Sequence, residues 1–215
     1  MTIPRLSYQR YRRIANEILE RGGVDHSTLP TDVELLVDRL GMDIIPFSGL
    51  KRNYDIKGLV LKRRNAPGFD IGIDQNHWEN DEQQCQFTIA EELAHVFLHS
   101  SMFSALTDVE KVWELINSIP EKEYGIMEQQ ARNVASFILL PDTSFRKYVL
   151  DFSTASASSL KRMGISSREE LARELADRIS HQLNLSSHVL FHSILYRYPD
   201  PLIIDEVIRE NERLL

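Results

Sequence analysis

The sequence holds a single cysteine, Cys85, in 215 residues, so no disulfide can form within the chain and no thiolate cluster can bind zinc. Positive charge is not in excess. Lys and Arg number 25 against 32 Asp and Glu, a formal net charge of −7, which argues against a broad footprint on nucleic acid or a membrane surface. No apolar run approaches the roughly 20 residues that cross a bilayer. The opening Met-Thr-Ile-Pro-Arg-Leu-Ser-Tyr-Gln-Arg lacks the continuous apolar segment of a secretory signal. Internal repeats and long low-complexity tracts are missing too. What remains is 42% hydrophobic and 27% charged residues, the balance of an ordinary globular protein able to bury a core. These absences lead to the expectation of a cytoplasmic protein with no membrane partner and no direct contact with nucleic acid.

Helical spacing of Tyr8, Tyr11, Ile14, Ala15, Ile18 and Leu19 predicts a first amphipathic helix, ended by Gly22-Gly23. Pro30-Thr31 opens a second, with Thr31 and Glu34 in capping-box spacing, Leu35, Leu36 and Leu40 inside, and Gly41 as its stop. A short strand is expected at Met42 to Pro46. Alternation around the turn at Asn65 to Gly68 predicts strands at Gly58 to Lys62 and Phe69 to Asp74, giving a small antiparallel sheet. Asp81 can cap a long helix running to about His99, and further helices are expected at Asp108 to Ser118 and Glu121 to Leu140, the second stopped by Pro141. Ser153 to Ser159 reads Ser-Thr-Ala-Ser-Ala-Ser-Ser and is the best linker candidate. Beyond it, a helix capped by Ser167 and Glu170 and a second at Ser187 to Arg197 form a helix-turn-helix-like pair. That second helix offers Arg197 as its only firm cation, too little for base and phosphate contacts.

The chemistry concentrates in Phe-Thr-Ile-Ala-Glu-Glu-Leu-Ala-His-Val-Phe-Leu-His, Phe87 to His99. Glu91, His95 and His99 are spaced four apart, which stacks them on one helical stripe, and Glu92 sits about 100° around. Taken alone, that stripe suits a metal site with a carboxylate base or a solvated polar face equally well. A second segment bears on the choice. Glu128 shares a stripe with Tyr124, Ala131, Ala135 and Ile138, and a carboxylate on an apolar face needs a partner. If Glu91, Glu92 and Glu128 meet in one pocket with His95, a divalent cation is the simplest way to let all three ionise. Arg132, one turn beyond Glu128, is the alternative partner.

These two segments, Phe87-Thr88-x-Ala90-x-Glu92-x-x-His95-x-x-x-His99 and Glu128-x-x-Ala131-x-x-x-Ala135-x-x-Ile138-Leu139-Leu140-Pro141, resemble the ImmA/IrrE family of metallo-endopeptidases. The resemblance implies an α+β, mostly helical, zincin-like core at residues 1–150 and a helical, helix-turn-helix-like extension at 160–215 packed on or near it. It also implies Glu92 as general base, His95 and Glu128 as metal ligands, and Glu91 at the position where the family carries its first histidine. Glu91, His95 and Glu128 can still make a three-ligand zinc site with one open position. Their two negative charges weaken the ion's effect on bound water and lean towards manganese, another divalent ion, or no metal at all. His99 is an orienting residue or an alternative ligand. A small polar residue is usual in the family where Arg132 stands, so its guanidinium can take the space of a cation. Two functions follow as expectations: metal-dependent cleavage of a protein substrate, which the resemblance suggests is a phage-type or stress-response helix-turn-helix repressor, or a catalytically impaired relative that binds a partner and regulates. Cys85 and the His181, His188 and His192 group suggest no further site.

Overall fold

A computed structural model describes residues 3–197 and 202–210. Two compact units emerge. One comprises the chain up to Asp25 together with Thr31–Leu139, the other His26–Pro30 together with Leu140 onward. Among the described residues no helix is long and apolar enough to cross a membrane.

In the first unit, helix α1 (Tyr8–Gly22) buries Tyr11, Ile14, Ala15, Ile18 and Leu19, and Gly23 closes it in the left-handed conformation at φ 58°. Helix α2 (Val33–Arg39) departs from expectation at its start and on its apolar side. Its cap is Asp32, whose carboxylate accepts from the Leu35 N–H at 2.9 Å, because Thr31 is drawn inward by a backbone bond to Leu139 at 2.9 Å. That one-residue shift buries Val33, Leu36 and Val37 and leaves Leu35 41% exposed.

Strands β1 (Ile44–Phe47), β2 (Gly58–Lys62) and β3 (Phe69–Asp74) form one sheet in the order β1-β3-β2. The β2–β3 hairpin is antiparallel as expected, but β1 runs parallel to β3 along its other edge, so the sheet is mixed. Short helix α3 (Leu50–Tyr54) lies between β1 and β2. Asp74 accepts from the Lys51 N–H at 2.9 Å and from the His77 N–H at 3.1 Å, which ties α3 to helix α4 (Gln75–Asn80). Neither short helix is signalled by apolar spacing. Strand parity divides the hairpin. Leu59 and Leu61 join Leu50 and Val112, from helix α6 (Val109–Ser118), in one cluster, while Gly58 and Val60 turn with Ile71 and Ile73 to the opposite face. On that face lies α5.

Helix α5 (Glu82–Phe103) starts at Asp81, whose carboxylate accepts from the Gln84 N–H, and bends at His99, where φ −128° and ψ 15° leave the helical range. It packs against β2 and against helix α7 (Glu121–Leu139). Ala90 and Ala94 on α5, and Ala131 and Ala135 on α7, are wholly buried, small side chains that permit a close approach of the two helices.

The second unit is helical: α8 (Asp142–Arg162), α9 (Arg168–Leu183), α10 (Ser187–Tyr196) and α11 (Ile203–Glu210). Ser167 caps α9 as expected, and Asn184 makes the left-handed turn before α10. Arg197 anchors the unit from within, donating to the Leu140 carbonyl at 2.6 Å and standing over the Phe145 ring at 5.2 Å. The serine-rich stretch is no linker. It lies inside α8, where Ser153 and Ser159 fold their hydroxyls back onto the carbonyls of Leu150 and Ser156. Phe145, Val149 and Leu160 supply the buried face that composition alone conceals. Proline at Ala155 is therefore expected to cost about 3 kcal/mol or more of stability. Chemical denaturation of Ala155→Pro measures it, and an unchanged midpoint would restore the linker.

Candidate active site

Glu91, Glu92 and His95 project from α5, and Tyr124, Glu128 and Arg132 from α7. His95 Nε2 lies 3.4 Å from Glu128 Oε1. Arg132 Nε donates to Glu91 Oε1 at 2.9 Å, and its Nη2 reaches Glu128 Oε2 at 3.4 Å. One guanidinium thus clasps both carboxylates. The Glu91 and Glu128 side chains are 17% and 19% exposed against 61% for Arg132, so the carboxylates belong to the pocket wall and the arginine reaches in from outside.

Glu92 is fixed by a backbone that comes too close for any side chain. A Cβ on Gly58 would lie 2.8 Å from both Cγ and Oε1 of Glu92 and 2.7 Å from Cγ2 of Thr88, so any larger residue at the start of β2 would displace both side chains. Thr88 is held in turn, donating to the Gln84 carbonyl at 3.1 Å and meeting His77 Nε2 at 3.1 Å. Burial raises the Glu92 carboxyl to about 8; His95 opposes the rise, and Glu128 and Glu91 add to it.

A hydrogen-bonded relay sets the face His95 presents. Gln130 Nε2 donates to the Pro4 carbonyl at 2.5 Å, which turns Gln130 Oε1 towards His99 Nε2 at 3.1 Å. His99 Nε2 must therefore carry the proton, which leaves His99 Nδ1 to accept from His95 Nδ1 at 3.0 Å. The remaining nitrogen, His95 Nε2, faces the carboxylates. Neutral, it aims a lone pair at Glu128; protonated, it makes an ion pair. Burial works against the charged imidazole, but the Glu128 bond and the surrounding carboxylates outweigh it and raise His95. Glu128 is lowered despite its burial, because His95, Arg132 and the Tyr124 hydroxyl all favour its anion. Glu91 is raised by burial against the pull of Arg132. Burial and Glu128 push Tyr124 up to about 12, so its hydroxyl stays a donor.

The structure thus brings together Glu91, Glu92, His95 and Glu128. It sets His99 apart. His99 lies behind His95 and lines a separate cavity of about 410 Å³ among Ile3, Ile14, Phe97 and Met102, which suits the orienting role rather than that of a ligand. Sequence reasoning missed Thr88, Gln130 and Tyr124 as participants. Tyr124, one turn before Glu128 on the same stripe, and Thr88, inside the motif, carried readable signals; Gln130 carried none.

Residues 38–178 match the IrrE N-terminal-like domain of the Peptidase M78 family. The chain belongs to this family. No curated protein and no solved structure matched it. Membership makes this M78 chain metallopeptidase-like and raises the question of whether its own residues suit a divalent ion. In kind they do, since the carboxylates of Glu91 and Glu128 share one guanidinium and the other oxygen of Glu128 meets the imidazole of His95. In arrangement they serve the arginine. Among the described residues no three His, Cys, Asp or Glu side chains already stand around a metal position, because Glu91 turns to Arg132 and His95 meets Glu128 directly.

His99 gives this site a pH signature. Burial, then the neighbouring His95, lowers it from 6.5 to about 4. Between those values the unfolded chain binds the proton that the folded chain refuses, so stability present above pH 6.5 is lost as pH falls towards 4. In chelator-treated protein, His99→Gln is expected to flatten the fall of the melting temperature across that window. An unchanged slope would show that His99 is not buried as neutral imidazole.

Proposed function

We propose that this M78 chain is a metal-dependent endopeptidase that cleaves a protein substrate, with Glu92 as its general base. The observation that carries the reading is the meeting of Glu91 and Glu128 on one cation position beside Glu92, a carboxyl held near 8 against the backbone of Gly58. Glu91, His95 and Glu128 would hold the ion, zinc first and manganese or another divalent ion next. Bound there, it supplies Lewis acidity towards a peptide carbonyl and water. The chain's own part is proton transfer. Without a cation the Glu92 carboxyl is held near 8; beside the positive charge of a bound ion it would be lowered, freeing the carboxylate to take a proton from water and return it to the leaving amine. His99 and Gln130 hold His95 with Nε2 forward, and Tyr124 holds Glu128 as the anion.

The family resemblance points to a helix-turn-helix repressor as substrate, in the cytoplasm, with neither nucleic acid nor membrane bound directly. Arg132 favours a second reading. A guanidinium already seated on both carboxylates is what a metal-free, protein-binding regulator would keep. Glu92→Gln separates the two. Incubated with a panel of candidate helix-turn-helix repressors, wild type is expected to cleave one about 10²- to 10⁴-fold faster than the variant, with metal content equal in both. Equal cleavage removes Glu92 as the base, and no cleavage by well-folded, metal-loaded wild type favours the regulator.

A further inference from the structure

Glu91 and Arg132, the two residues that the family resemblance marks as departures from its motif, touch. They lie 41 positions apart in sequence, on different helices, and Arg132 Nε donates to Glu91 Oε1 at 2.9 Å. Histidine at 91 would leave this guanidinium only its longer contact to Glu128, and a small polar residue at 132 would leave Glu91 facing Glu128 with no cation between them. The two departures make sense together. An arginine stays protonated at any pH the protein meets, so its clasp is permanent unless the side chain moves away. It is free to move, because 61% of it is exposed and exposed ion pairs are weak and exchangeable.

We propose that Arg132 is a resident cation that competes with the metal for Glu91 and Glu128. It keeps the carboxylates compatible while the site is metal-free and must swing outward when the site loads. Metal affinity is thereby set below what the same three ligands would show alone, and the folded state becomes independent of metal supply. This inference rests on the metallopeptidase reading and adds to it a residue that governs occupancy.

The test uses full-length protein stripped of metal, with zinc as the probe. Zinc affinity is measured by competition with a chromophoric chelator, and melting with and without zinc, for wild type, Arg132→Asn, Arg132→Lys and His95→Ala. Circular dichroism confirms that each variant is folded. Arg132→Asn is expected to bind zinc at least about tenfold more tightly than wild type, since a competing intramolecular cation is removed. It should also melt lower than wild type when metal-free and gain more on zinc addition, with Arg132→Lys in between. Equal zinc affinity in wild type and Arg132→Asn, lost in His95→Ala, overturns the proposal and leaves the metallopeptidase reading standing. Folded proteins that all fail to bind zinc, manganese or iron overturn both.

Discussion

Repulsion between carboxylates in a half-buried pocket is the constraint on which this structure depends. Burial makes Glu91 and Glu92 costly to ionise; Glu128 adds to that cost for both, and Glu91 adds to it for Glu92. The protein answers in three ways. Glu92 holds its proton up to about pH 8, His95 is biased towards its charged form beside Glu128, and Arg132 bridges Glu128 and Glu91 from the surface. A divalent ion would serve the same need, and a pocket that assembles this much negative charge is suited to exchange one cation for the other.

The rest of the first unit positions those groups. Asp81 starts α5 so that Glu91, Glu92 and His95 face α7, and buried alanines on both helices let them come close. β2 brings the bare backbone of Gly58 against Glu92, a contact that any larger residue would force apart. Behind the pocket the line from Pro4 through Gln130 and His99 to His95 decides which imidazole nitrogen looks inward. Chemistry at the front therefore depends on hydrogen bonds anchored in the segment before α1.

Much of this was legible in the sequence, for physical reasons. Residues four apart on a helix must share a stripe, so Glu91, His95 and His99 could be placed without coordinates, and a carboxylate among Ala131, Ala135 and Ile138 announced that Glu128 had a partner. The β2–β3 hairpin declared itself by alternation. What stayed hidden was set by contacts across the chain. The Glu91–Arg132 bond joins residues 41 apart, and the cap of α2 moved from Thr31 to Asp32 because of a distant carbonyl, that of Leu139. Serine and alanine in α8 read as a linker because their helix is earned by Phe145, Val149 and Leu160 on either side, not by their own propensity. Helices α3 and α4 are too short for periodicity to show, whereas α11 does carry a readable amphipathic pattern, with Ile203, Ile204 and Val207 on its buried face.

The central claim, that Arg132 and a metal are alternative occupants of one cation position, is tested most directly by a crystal structure of zinc-soaked wild-type protein with anomalous scattering at the zinc edge. The account predicts a peak ligated by Glu91, His95 and Glu128, with the Arg132 guanidinium withdrawn into solvent. A peak at those ligands with Arg132 still bonded to Glu91 and Glu128, or zinc bound elsewhere while the clasp stays closed, would contradict it.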